Sequence, residues 1–276
     1  MNGLRTYVVV LMLCISGFNH AIANDANEGK DDIMKQFQGL NSAGWKEVFT
    51  DSCEESWKEK WTLDGLKAKI THSAQGIDFW AGPTRKDDSC HAVLWTRQSF
   101  KGDIKIEYEY TRLDSIPAFV NILYVQATGS NIDPYSKDIA EWAQLREVPA
   151  MKTYFNHMNT YHISYATNPS ASDDPERDYI RARRYMPSGK GLDGTDLEPD
   201  YFNTGFFNPG VAHKITVIKK DDDLYFYIRN NEKDHLCHWQ NNNLPPITEG
   251  RIGLRHMCTR GARYRDFRVS MLETNE

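Results

Sequence analysis

Between Asp103 and Arg112 apolar and polar residues alternate. Ile104, Ile106, Tyr108 and Tyr110 fall on one face, and Lys105, Glu107 and Glu109 on the other. This period of two marks a strand with one buried face. The run Phe119 to Gln126 is apolar almost throughout, as a central strand covered on both faces would be. Its polar groups are Asn121, Tyr124 and Gln126. Buried amides require partners, so these three are candidates for structural hydrogen bonding or for the floor of a cleft. Further strands are expected at Trp45 to Phe49, Lys67 to Thr71, Ala92 to Trp95, Tyr161 to Tyr165, Arg251 to His256 and Phe267 to Met271. His213 to Lys220 and Leu224 to Arg229, joined through Asp221-Asp222-Asp223, read as a hairpin. The pattern changes at Asp138 to Arg146, where Ile139, Trp142 and Ala143 have helical spacing and Pro149 follows; Trp57 and Trp61 share that spacing. Residues 168–176 and 188–199 are rich in Pro, Gly, Ser and Asp and are expected to be loops. No repeat or linker divides the chain. The expectation is one all-β domain over residues 45–272 with a minor helix.

One strand carries a chemical pattern as well as a structural one. In Tyr179-Ile180-Arg181-Ala182-Arg183-Arg184-Tyr185, alternation gathers Tyr179, Arg181, Arg183 and Tyr185 on one face. Ile180, Ala182 and Met186 take the other, with Arg184 the exception there. Guanidinium forks between phenol rings suit a flat, polar, anionic ligand. A solvated strand face would show the same residues.

The N-terminus lies outside this pattern. Arg5, the apolar run Tyr7 to Ser16 and the small residues Ala21-Ile22-Ala23 predict a signal peptide over residues 1–23, and hence an exported, periplasmic or extracellular protein. A lipid-anchored alternative would use Cys14, which lacks a small residue before it. Residues 24–44 are polar and read as a flexible lead-in, with a helical turn near Ile33 to Phe37. Cleavage leaves 253 residues with 32 Lys+Arg against 38 Asp+Glu, an acidic balance that argues against non-specific nucleic-acid binding. No later segment has transmembrane length. Cys53, Cys90, Cys237 and Cys258 are even in number, and export makes disulfides the expectation; three pairings are open.

Four stretches carry a resemblance. They are Tyr161 to Ala166, Tyr179 to Pro187, Pro199 to Val211, and Glu249 to Met257 continued by Arg263 to Ser270. Together they resemble the YesU-like family of bacterial proteins, a domain of unknown function (1961), over about Trp45 to Met271. The resemblance implies a concanavalin A-like jelly-roll sandwich whose concave face holds a sugar, in proteins met among polysaccharide-degrading systems. Aromatic residues make up 12% of the chain, which suits stacking on sugars.

The Glu-x-Asp-x-(x)-Glu run used by glycosidases of that fold is absent, while Tyr, His, Arg and amide residues are plentiful. The expectation is therefore a polysaccharide lyase acting by β-elimination on a uronate-containing chain. Such chemistry takes a base, an acid and a cation beside the carboxylate. The candidates are His162, Tyr165, Arg181, Arg183, Tyr185 and His256 for catalysis, and Asn121, Tyr124, Gln126, Tyr179 and Arg255 for substrate. Alternatives are a lectin-like module without turnover, a glycoside hydrolase with an unfamiliar carboxylate pair, and a purely structural sandwich. No cofactor is required; Asp51 and Asp266 are candidates for a structural Ca2+. A poly- or oligosaccharide partner and a monomer are expected.

Overall fold

The computed structural model describes residues 29–116, 119–166, 178–187 and 190–273. The expected signal peptide with Cys14, and the loop read at 168–176, lie outside the described residues. The chain divides into two units, Met1–Ala43 and Gly44–Glu276. In the first, residues 29–41 form a helix, α1, which extends the single turn expected near Ile33 to Phe37.

The second unit holds sixteen strands among the described residues: β1 Trp45–Asp51, β2 Trp61–Asp64, β3 Lys69–Ser73, β4 Gly76–Trp80, β5 Ala92–Thr96, β6 Phe100–Lys101, β7 Ile104–Arg112, β8 Asn121–Gly129, β9 Met158–Tyr165, β10 Tyr179–Tyr185, β11 Asp196–Phe202, β12 Ala212–Lys220, β13 Asp223–Arg229, β14 Asp234–Gln240, β15 Glu249–His256 and β16 Gly261–Leu272. They form two sheets. The first runs β14-β13-β12-β7-β16-β4-β3, with β1 also on β16; the second runs β11-β10-β9-β8-β15-β5-β2, with β6 on β15. Every described ladder is antiparallel. This is the jelly-roll sandwich that the resemblance implied.

The inner faces follow from alternation. Ile104, Ile106, Tyr108 and Tyr110 of β7 meet Leu123 and Val125 of β8, Ile163 and Tyr165 of β9 and Leu254 of β15 in one core. Buried aromatic and aliphatic side chains of this size contribute about 1.5–3 kcal/mol each. Asp114 is one polar group buried with its partners. Asp114 accepts from Arg112 Nη2 at 2.9 Å and from the Gly261 amide at 3.0 Å, and lies 3.2 Å from Arg260 Nη1.

β8 is apolar on both faces because a second cluster lies outside the second sheet. Val93, Trp95, Ile122, Tyr124, Met158 and Tyr185 are covered there by Ile139, Trp142 and Tyr154. Ile139 and Trp142 sit on a 3-10 turn, Ile139–Arg146, and Tyr154 on a short helix, α2 Met151–His157. The sequence led us to expect one helix over 138–146. Instead that stretch is 3-10 and kinked at Trp142 (φ −122°, ψ 31°), and α2 follows Pro149.

Gly253 makes this second cluster compact. A Cβ there would lie 2.4 Å from the Trp95 ring. Gly253→Ala is expected to cost about 1–3 kcal/mol by overpacking, read as a lower urea midpoint.

Three other expectations are corrected. Asp196 to Pro199, expected as loop, begins β11. Trp57–Glu59 is a brief 3-10 turn, and Trp61 opens β2. Cys53, Cys90, Cys237 and Cys258 are buried free thiols, not disulfides. No helix among the described residues is long and apolar enough to cross a membrane.

Candidate functional site

Cross-strand register gathers the sequence-predicted residues on the outer face of the second sheet. Tyr124 of β8 stands opposite His162 of β9, which stands opposite Arg183 of β10, which stands opposite Asp196 of β11. One step along, Ser164 is opposite Arg181, and Thr160 is opposite Tyr185. His162 Nδ1 is hydrogen-bonded to the Tyr185 hydroxyl. Its Nε2 lies 2.6 Å from Ser164 Oγ. Arg181 donates through Nε to Asp200 at 2.7 Å, and its guanidinium carbon stands 4.5 Å from the Tyr179 ring centre. Arg183 donates to Asp196 at 2.8 Å. The alternation read from Tyr179 to Tyr185 therefore produces the face expected of it, and the two arginines are ion-paired on it.

Burial sets the charge states. His162 is 2% exposed and Tyr185 is fully buried. Desolvation, reinforced by the nearby charges of Arg183, Arg255 and Arg181, holds the imidazole well below its ordinary 6.5. Desolvation likewise holds the Tyr185 phenol well above its ordinary 10. At neutral pH the pair is a neutral imidazole beside a protonated phenol.

Beside it lies a cluster in which the sequence reading named Tyr124 and Arg255 but missed Asp64, Trp95, Arg146 and Tyr154. Asp64 Oδ2 accepts from Arg146 Nε at 2.6 Å, Trp95 Nε1 at 2.7 Å and the Tyr154 hydroxyl at 2.9 Å. The rings of Trp95 and Tyr154 lie nearly parallel to that of Tyr124, at 5.3 and 5.8 Å between centres. Arg255 of β15, fully buried, donates through Nη2 to the Pro149 carbonyl at 2.6 Å and stands over the Tyr154 ring at 4.4 Å.

Four candidates belong elsewhere. Tyr165 faces the core, where its hydroxyl is 3.3 Å from that of Tyr108 and its ring packs on Phe207 and Phe226. Its odd spacing from His162 puts the two on opposite faces. His256 is also inward, stacked on Phe79 at 4.2 Å with Nε2 2.8 Å from the Tyr264 hydroxyl. Asn121 Oδ1 accepts from the Tyr110 hydroxyl at 3.2 Å and from Arg260 Nε at 3.1 Å. Gln126 Nε2 donates to the carbonyls of Phe100 and Gly102, at 3.2 and 2.9 Å. These amides bind the fold to itself.

Asp51 is engaged by Trp61 Nε1 at 2.6 Å and the Cys53 amide at 3.0 Å. It lines a surface hollow with Asp266, but no group of three or more His, Cys, Asp or Glu among the described residues could hold a metal ion. On the outer face of the first sheet, Glu107 and Glu109 line a cleft with Lys214, Thr216 and Arg268. Each stands opposite a cation across the ladder, Glu109 facing Lys214 and Arg265 and Glu107 facing Arg268.

The buried imidazoles predict a pH response. Desolvation pushes His91 and His213 down to about 4 and His256 to about 3, and His162 falls with them. Folded values below the unfolded value mean that the unfolded chain binds the extra protons. Stability is therefore full above about pH 6.5 and falls as pH drops from there towards 4. A urea midpoint clearly lower at pH 5 than at pH 7 is expected, with roughly 2 kcal/mol as the upper contribution of each such histidine.

Residues 54–269 match the sequence profile of the family described as "Domain of unknown function (DUF1961)". Among solved structures, the chain is similar to a protein of unknown function with a galectin-like fold from Bacillus subtilis, with a TM-score of 0.63 and 18% identity over 83% of this chain and 100% of that one. It is also similar to the exoplasmic/lumenal domain of VIP36 in its Ca2+/Man3GlcNAc-bound form, with a TM-score of 0.54 and 14% identity over 84% and 92% of the two chains. Lectin II from Ulex europaeus gives a TM-score of 0.50 and 8% identity over 80% and 97%. At such identities the likeness is one of fold. No curated protein matches the sequence.

Proposed function

The chain belongs to the DUF1961 family, and on that premise we propose that it is an exported carbohydrate-active protein that takes an acidic, uronate-containing saccharide on the outer face of its second sheet and cleaves it by β-elimination. The observation that carries this reading is the His162–Tyr185 pair, set on one face with Arg181, Arg183 and Arg255. Elimination removes the proton on the carbon beside the carboxylate, expels the glycosidic oxygen from the next carbon, and leaves a double bond between them. A neutral imidazole accepts that proton, and a protonated phenol supplies one to the departing oxygen. A guanidinium meets the carboxylate, where negative charge grows in the transition state. Sugar binding by VIP36, a protein of the same fold, supports the saccharide class.

The test is a screen of purified protein against uronate polymers, read as ultraviolet absorbance of unsaturated ends. Absorbance with at least one polymer is expected. Silence on every polymer, with reducing ends released, would point instead to hydrolysis.

A second reading rests on a specific observation. His162 and Tyr185 are 2% and 0% exposed, a degree of burial that also suits a binding module whose polar groups fix an orientation without turnover. Retarded migration in polysaccharide gels without any product would select that reading.

A further inference from the structure

Among the cations of this face Arg255 stands apart. Arg146 is paired with Asp64, Arg181 with Asp200 and Arg183 with Asp196. Arg255 has no carboxylate partner among the described residues. It is 0% exposed, and its Nε and Nη1 have no hydrogen-bond partner among the described residues; the hydroxyl of Tyr124, equally buried, stands beside Arg255 and Tyr185. Leaving a buried guanidinium short of an anion and of two acceptors is costly, and such a group calls for a ligand, an ion or a water to meet it. Nη2 is occupied, by the carbonyl of Pro149. Nε and Nη2 form one edge of a guanidinium, the edge that grips a carboxylate with two parallel bonds. The Pro149 carbonyl thus holds the position of one carboxylate oxygen, and Nε waits for the other.

The segment carrying Pro149 is lightly held. Of the seven side chains of α2 only Tyr154 is fully buried, Met151 and Phe155 are half-buried against the second cluster, His157 stacks on Tyr135, and the N-cap, Ala150, makes no side-chain cap. Val148 beside Pro149 is 49% exposed. Among the described residues, the side-chain polar ties from this segment to the sheet are the Tyr154 hydroxyl on Asp64 and the Pro149 carbonyl on Arg255. A short, uncapped helix with one fully buried anchor belongs to the low end of local stability, from which moving elements are drawn.

The geometry points to Arg255 as the cation that binds the carboxylate of the ligand, beneath a lid formed by residues 147–157, with the Pro149 carbonyl as its place-holder in the closed state. Lifting the lid frees Nη2, exposes the Nε–Nη2 edge beside the Tyr124 hydroxyl, and opens the way to His162 and Tyr185. This assignment rests on the acidic-saccharide reading above for the identity of the ligand, but not for the presence of the site.

Acetate and formate, small enough to enter without a sugar, are the probes, with chloride matched for ionic strength. In the full chain they are expected to raise the urea midpoint and, by displacing the Pro149 carbonyl and holding the lid open, to speed hydrogen exchange of the amides of residues 147–157, which already exchange faster than those of β8 and β9 when no carboxylate is added. Arg255→Met is expected to be at least as stable as the parent without added anion, because it removes an unmatched buried charge, and to lose the carboxylate response by tenfold or more. A merely structural arginine gives the opposite result. Arg255→Met would then lower the midpoint, both proteins would respond equally to acetate, and the assignment would be overturned. Amides of 147–157 that exchange no faster than those of β8 would overturn the lid. If acetate acts through Arg255 and no uronate oligosaccharide does, the carboxylate site stands and the acidic-saccharide reading falls.

Discussion

Replacing His162 with glutamine is expected to slow release of unsaturated product by about 10²- to 10⁴-fold, the range for loss of a positioned acid–base group, while leaving the protein folded. Glutamine can still bond the Tyr185 and Ser164 hydroxyls that the imidazole bridges, so the local network keeps partners. It cannot take up a proton. His162→Ala loses both functions and leaves two buried hydroxyls short of a partner, a penalty of about 1–3 kcal/mol for each, so the glutamine variant is the cleaner measure of chemistry. Tyr185→Phe removes the proton donor from the other side of the pair and is expected to behave alike. Initial rates of ultraviolet absorbance, set beside urea midpoints, separate the two effects. A glutamine variant with parental rate would remove His162 from the reaction.

The largest stability effect is expected at Asp64. Its carboxylate is 3% exposed and receives Arg146, Trp95 and Tyr154 together. Asp64→Ala leaves Arg146, 2% exposed, as a buried charge without its partner, and removing one half of a buried pair costs about 3–5 kcal/mol. The double change Asp64→Ala with Arg146→Met takes away both charges and is expected to recover much of that loss, because a buried pair replaced by apolar groups is often near neutral. Urea unfolding of the two single variants and the double variant closes the cycle. Equal midpoints for Asp64→Ala and the parent would show that this cluster carries no stability.

How much of this was legible in the sequence depends on how local each signal is. Period-two alternation identified β7, which is buried on one side and half-exposed on the other, and divided β10 into its two faces, because successive side chains of a strand point to opposite sides of the sheet. The same rule separates His162 from Tyr165. β11 was hidden in what reads as a loop. It is the edge strand of its sheet, buries Leu197 alone among its seven residues and carries Pro199, which edges tolerate and central strands do not. Nothing local announces Asp64 and Arg146, which meet across 82 positions of chain; a carboxylate in a short strand and an arginine at the end of a helical turn look like surface. The four cysteines misled through compartment logic. An even count suggests pairing, whereas each thiol here lies buried and unbonded, and burial pushes that of Cys53 up to about 12, far from the reactive thiolate.

The pairing of β1 with β16 has a mechanical consequence. Trp45 lies opposite Leu272 and Asp51 opposite Phe267, so the first and last strands of the sandwich run antiparallel with their outer ends side by side. Tension drawn through those ends acts across the hydrogen bonds of the ladder and parts them one after another, as a zipper opens, instead of loading all of them at once in shear. The sandwich would yield first along that seam in the first sheet. The second sheet, with Arg255, His162 and Tyr185 on its far side, lies off the line of force.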